Sequence, residues 1–393
     1  MRNILGMHVQ GEDFYDRITE LERLWKLLDH DNVLLLAPRR VGKTSVLFRL
    51  REQAPIRGRS AVYVSSAGLL TELEFVDTLF RTVNTLDTGR RLLSALANGS
   101  VGRFFGRLDG AGASGFHLHL RAAEPPDWRE VGNAFVDVAN ASDDGWILLV
   151  DELPILVMAL LRQDTTTERA RTFLEWFRAL RERAPRLRWV LAGSVGLDAI
   201  VARIHLTSTV QDLAPFTLGP LHVQDAEGLV ETLAASHGIG IERDVIEYLL
   251  QRLGWLIPYH IQLAFSEIHA AHRHGAPPVT RDHVDQALAS LLSPGKRIYF
   301  EPWRQRLREE LGPPEDTQAM ALLDAAALDP NGATAQTLRG ILARHVTHKS
   351  ARDEVLSHLL RVLQNDGYLV EDRGRFRFRS PLVRAFWRSR SAP

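Results

Sequence analysis

Short apolar runs that stop at small or polar residues alternate with helical spacing over residues 14 to about 219, the pattern of a parallel α/β sheet. The runs lie at 33–36, 61–65, 147–150 and 189–192, with a further candidate at 216–218. From 221 to about 292 the spacing is helical throughout, with cap residues Asp225 and Thr280 each placed before a new helical segment. This predicts a small helical lid. Ser293-Pro294-Gly295 then breaks the pattern, and the last region closes with an apolar helix over 359–364, Gly367, a strand over 368–370 and a hairpin through Gly374. A helix capped by glycine and followed by a short hairpin is how a winged helix-turn-helix domain ends. In that hairpin, period-two geometry sends Phe376 and Phe378 to one face and Arg375, Arg377 and Arg379 to the other. The predicted domains are therefore 1–220, 221–295 and 296–393.

Composition changes this picture little. The 393 residues are 45% hydrophobic and 24% charged, as in an ordinary soluble protein with room for two or three domains. The formal net charge is zero, so an attraction to nucleic acid has to come from local charge. With no cysteine, disulfides, thiol nucleophiles and thiolate metal sites are excluded. The apolar stretch over 146–161 is interrupted by Asp151, Glu152 and Pro154, which argues against a membrane span. The N-terminus shows no signal-peptide pattern, so a cytoplasmic location is the expectation.

Chemistry enters between the first strand and the helix after it, where the chain reads APRRVGKT from Ala37 to Thr44. A strand, a loop with Gly-Lys-Thr and a helix form a phosphate cradle: backbone N–H groups wrap the phosphates and the helix N-terminus adds partial positive charge. Pro38, Arg39, Arg40, Val41, Gly42, Lys43, Thr44 and Ser45 are the candidate nucleotide-binding residues. Lys43 is suited to the β- and γ-phosphates, and the Thr44 hydroxyl to Mg²⁺. The first glycine of the usual pattern is replaced by Ala37, which a residue in an ordinary β conformation accommodates. The acidic partner follows the third strand. Asp151 is the candidate second Mg²⁺ ligand, and Glu152 the candidate base or orienter of the attacking water. Ser194, after the fourth strand, is a candidate catalytic sensor of the γ-phosphate. His117 and His119 alternate on one predicted strand, and exposed strand histidines are the favoured reading over a metal pair.

Phe14-Tyr15-Asp16-Arg17 before a short helix, then PRRVGKTS, LLVDE and LAGSVGL, together with Pro258-Tyr259-His260 and Ile298-Tyr299-Phe300, resemble the archaeal-type ATPase family. That family is close to the STAND and AAA+ classes. The resemblance covers most of the chain. It implies an α/β P-loop NTPase core of parallel strands flanked by helices, a helical lid and a C-terminal winged helix, with ATP and Mg²⁺ as ligands. It also implies that Phe14 and Arg17 lie near the base and that Pro258 starts a lid helix over the adenine. Arg203 is a candidate arginine finger toward a neighbouring subunit. Two departures stand out: Gly254 precedes Pro258 by four positions, and that lid helix has no arginine at its start. The expected function is an ATP-binding, slowly hydrolysing switch. The alternatives are a DNA-binding initiator-like or loader-like protein, and a protein-interaction switch with little turnover. Expected partners are ATP, DNA or a protein at the winged helix through Arg375, Arg377 and Arg379, and a second copy in a nucleotide-dependent oligomer, with no membrane.

Overall fold

The computed structural model describes residues 1–90, 127–142, 145–164, 166–193, 197–272 and 277–391. Two compact units emerge. One contains Arg17–Leu36 and Val46–Thr217, and the other contains Met1–Asp16, Ala37–Ser45 and Leu218–Pro393.

The first unit is built on five parallel strands: β1 (Asn32–Leu36), β2 (Arg59–Ser65), β3 (Gly145–Asp151), β4 (Arg188–Gly193) and β5 (Leu213–Thr217), in the spatial order β2-β3-β4-β1-β5. The fifth strand begins earlier than its sequence pattern suggests and pairs with β1, Leu34 lying opposite Pro215. β3 is buried from Trp146 to Asp151 because helices cover the sheet on both faces. Beneath those helices lies an aromatic cluster in which Phe177 meets Trp189 edge to face at 4.9 Å and Phe75 at 5.7 Å. Two partly buried ion pairs tie this layer together. Arg169 forks onto Glu72 at 2.7 and 2.8 Å, and Arg181 onto Asp212 at 2.7 and 2.8 Å. Glu72 opens the helix Glu72–Asn84 just after its Thr71 capping box.

The second unit carries the predicted lid helices, Val223–His237, Arg243–Leu253, Pro258–Ala271 and Arg281–Leu291. Thr280 caps its helix as expected. Asp225 does not: His222 is the N-cap, and Asp225 sits in the first turn, where its charge favours the helix dipole without capping it. Beyond them, helices Glu315–Leu328, Ala335–Leu342 and Lys349–Asn365 pack with an antiparallel sheet of β6 (Ala333–Thr334), β7 (Leu369–Asp372) and β8 (Arg375–Phe378), ordered β6-β8-β7. This is a winged helix. Its hairpin turns through Arg373 and Gly374, with φ 51° and 73°. Positive values at both central positions are what a two-residue turn of the type I′ class needs to match strand twist. Phe376 and Phe378 face inward as the alternation predicts, Phe378 against Trp387. Tyr368 is buried in the same layer, and its hydroxyl donates to the Trp303 carbonyl at 2.6 Å. Among the described residues no helix is long and apolar enough to cross a membrane.

Candidate functional site

β1 leaves the sheet at Leu36, and the loop predicted to hold phosphates begins at the next residue. Gly42 has φ 96° with open space where a side chain would start, so backbone conformation is what demands glycine here. Arg40 also lies at positive φ, 63°, whereas Ala37 does not, which accounts for its tolerated methyl group. Lys43 is the first residue of the helix Lys43–Gln53 and is buried, with Thr44 half-buried beside it. Ser45 is engaged by the N-terminal segment: its hydroxyl accepts from the Val9 amide at 3.1 Å.

The tip of the loop is held by the C-terminal part of the same unit, which no sequence motif signals. Arg39 donates to the Pro302 carbonyl at 3.1 Å, and the Arg40 guanidinium lies 3.8 Å from the centre of the Tyr259 ring. Burial lowers the Arg40 pKa, the nearby Tyr259 opposing this and Arg39 adding to it. Pro38 faces Gly367, where an added Cβ would come within 2.9 Å of the proline and 2.6 Å of the Trp255 ring. Pro258 opens the helix Pro258–Ala271 as the sequence predicts, with Ile257 as an extended N-cap. Next to it, His260 is fully buried. Burial, reinforced by the Arg40 charge, pulls its pKa down to about 3, against a raising hydrogen bond at Trp255.

The acids sit at the carboxyl edge of the parallel sheet, where open α/β sheets take ligands. Asp151 ends β3 and is buried. Its Oδ1 accepts from the Glu152 amide at 3.0 Å, and its Oδ2 from the Tyr63 hydroxyl at 3.2 Å. Burial and the Asp151 charge raise the Tyr63 pKa, which keeps the phenol a donor. Glu152 is the N-cap of the helix Leu153–Gln163 at φ 59°, without a side-chain capping bond. β4 lies between β1 and β3 rather than outside them, so its tip separates the two motif strands. Ser194, His117 and His119 lie outside the described residues.

Other candidates have different surroundings. Arg17 is buried, in the left-handed region at φ 65°, and paired with Glu20 at 2.6 Å. Phe14 is half-buried, and the Tyr15 hydroxyl beside it lies 2.2 Å from where a Cβ on Gly228 of the first lid helix would be. Arg203 is exposed at the end of the helix Leu197–Arg203. The wing arginines are not a free basic edge. Arg375 donates to Asp329 at 2.8 Å and to the Gly332 carbonyl at 2.6 Å, and Arg379 to the Leu369 carbonyl at 3.0 Å. Arg377 pairs with Asp372 of the same hairpin at 3.3 Å. Among the described residues no group of three or more His, Asp or Glu side chains is arranged to hold a metal.

No protein-family model and no curated protein matches the sequence. Solved structures do match in fold. A Walker-type ATPase of Pyrococcus abyssi is similar at a TM-score of 0.65 and 19% identity, covering 98% of this chain and 99% of that one. The ORC2 protein of Aeropyrum pernix, in its ADPNP-ADP complexes, is similar at a TM-score of 0.50 and 12% identity, over 100% of this chain and 99% of that one. Strand order, phosphate-loop geometry and these full-length similarities together give the chain the fold of an α/β P-loop NTPase with a helical lid and a C-terminal winged helix.

Proposed function

We propose that the protein is an ATP-binding and ATP-hydrolysing switch. The observation that carries this reading is the shared carboxyl edge of one parallel sheet: β1 runs out into APRRVGKT, and β3 ends at Asp151. Lys43 and the loop amides would hold the β- and γ-phosphates. Thr44 and Asp151 offer hard oxygen donors of the kind Mg²⁺ prefers, and the bound ion would offset the phosphate charge. Glu152 would orient or deprotonate the attacking water, with Ser194 near the γ-phosphate and Arg203 offered to a neighbouring subunit. Phe14, Arg17 and Pro258 would border the base. The domains implied are a core over 1–220, a lid over 221–295 and a winged helix over 296–393. The contacts of Pro38, Arg39 and Arg40 with Gly367, Pro302 and Tyr259 support the switch, because a loop that moves on binding phosphate would disturb the lid and winged-helix segments directly.

Calorimetry with Lys43→Ala tests the reading: MgATP affinity should be lost or fall steeply, because the mobile cation that meets the phosphates is gone. Unchanged affinity would remove the basis for a phosphate loop. The winged helix favours a second reading, an initiator-like or loader-like protein that binds DNA. Salt-dependent retention of duplex DNA separates it from a protein-only switch.

A further inference from the structure

Tyr63 belongs to none of the sequence motifs, yet it joins two parts of the nucleotide machinery. β2 and β3 run in parallel with Tyr63 opposite Leu149 and Ser65 opposite Asp151. Residues paired in this way share a sheet face, and the diagonal neighbour two positions along is within reach of a long aromatic side chain. Tyr63 uses that reach, its hydroxyl donating to Asp151 Oδ2 at 3.2 Å. Its ring stacks on Phe48 at 4.6 Å and an interplanar angle of 28°. Phe48 belongs to the helix that follows the phosphate loop. One side chain therefore ties that helix to the acidic strand end.

We propose that Tyr63 is a positioning residue for the magnesium-binding carboxylate, fixing the plane of Asp151 relative to the helix that follows the phosphate loop. This rests on the assignment of Asp151 to Mg²⁺ in the proposed function. Torsion of an aspartate carboxylate is broad and two-fold, so an unrestrained Asp151 would sample many orientations. Here each oxygen has a donor: the Glu152 amide on Oδ1 and the Tyr63 hydroxyl on Oδ2. The backbone is pinned as well, because the Ser66 amide donates to the Asp151 carbonyl at 2.8 Å. Mg²⁺ demands near-ideal octahedral geometry, so a carboxylate held in plane gains most for this ion.

The test is Tyr63→Phe, which keeps the ring and its stacking but removes the donor. Binding of a fluorescent ATP analogue is measured in EDTA and across a Mg²⁺ titration, with Asp151→Asn in parallel. Affinity in EDTA should match wild type and the melting temperature should drop by only a few degrees, the cost of leaving the buried Asp151 Oδ2 without its donor, while the Mg²⁺ concentration for half-maximal enhancement rises about 3- to 10-fold, the worth of one hydrogen bond. A wild-type midpoint in Tyr63→Phe, with a shifted midpoint in Asp151→Asn, overturns the role of Tyr63 alone. A wild-type midpoint in both variants overturns the assignment of Asp151 and the role of Tyr63 with it.

Discussion

Glu152 combines a proposed catalytic carboxylate with a backbone that glutamate disfavours, φ 59° at a helix N-cap. A non-glycine residue in the left-handed region costs roughly 1–2 kcal/mol, and such strain concentrates at functional sites. Two substitutions separate chemistry from strain. Glu152→Gln should bind ATP normally while steady-state turnover falls about 10²-fold or more, because shape is kept and the base is lost. Glu152→Gly should lose turnover too, yet melt no lower than wild type, since glycine removes the left-handed penalty. A Glu152→Gly variant that melts well below wild type would show the side chain to be structural. The wing gives a contrast of the same kind. Arg375 satisfies the Asn331 and Gly332 carbonyls as well as Asp329, so Arg375→Ala should lower stability by about 1 kcal/mol in urea titrations, most of it from the carbonyl bonds. Arg377 forms a half-exposed pair within the hairpin, and its alanine variant should be neutral. Arg377→Ala is therefore the variant in which a loss of DNA retention reports on contact rather than on folding.

At the scale of elements, Gly367 decides whether the end of the helix Lys349–Asn365 can lie against the phosphate loop. Its φ of 85° and its closeness to Trp255 and Pro38 both exclude a side chain. Gly367→Ala adds left-handed strain to overpacking against a ring and a proline, and should cost about 2–4 kcal/mol, read as a lowered melting temperature. A melt within about 1 °C of wild type would overturn both the backbone strain and the overpacking argued for this position. The sequence identified Gly367 as a helix stop through its residue type, and the hairpin followed from Gly374. It gave no sign of β6, a two-residue strand whose only signal is its pairing with β8. The N-cap of Val223–His237 was misplaced for a related reason: Asp225 is a good capping residue by type, but the backbone had already turned helical two residues earlier.

For the protein as a whole, zero net charge removes long-range attraction to DNA, so any duplex binding should be weak and confined to low salt. The pH response has a definite sign in the C-terminal unit. His260 is buried between Arg40, Tyr259, Trp303 and Ser380, and its pKa falls from the usual 6.5 to about 3. Between those values the unfolded chain holds a proton that the folded chain does not, so stability rises with pH and is lost as pH falls through the window. From pH 7 to pH 5 the loss should be about 2 kcal/mol, and His260→Gln should remove that part of the acid limb. Denaturant melts of the two proteins at both pH values check this; parallel losses would mean that other groups carry the acid sensitivity.

What the sequence determined by itself was whatever is local or periodic. Apolar runs specify buried strands, Gly42, Lys43 and Thr44 specify a loop between strand and helix, and alternation in 375–379 specifies which wing face is apolar. Those features depend on neighbours a few residues away, and the structure keeps them. Strand order did not follow, because β4 between β1 and β3 is a choice among pairings that leave the same faces buried. Nor did the partners of polar side chains. Tyr63 reaches Asp151, Arg40 covers Tyr259 and Arg375 finds Asp329 only once strands and helices distant in sequence have been brought together. A hydrogen bond or cation–π contact holds over a few ångströms and has no periodicity along the chain, so only the tertiary structure decides which residues make it.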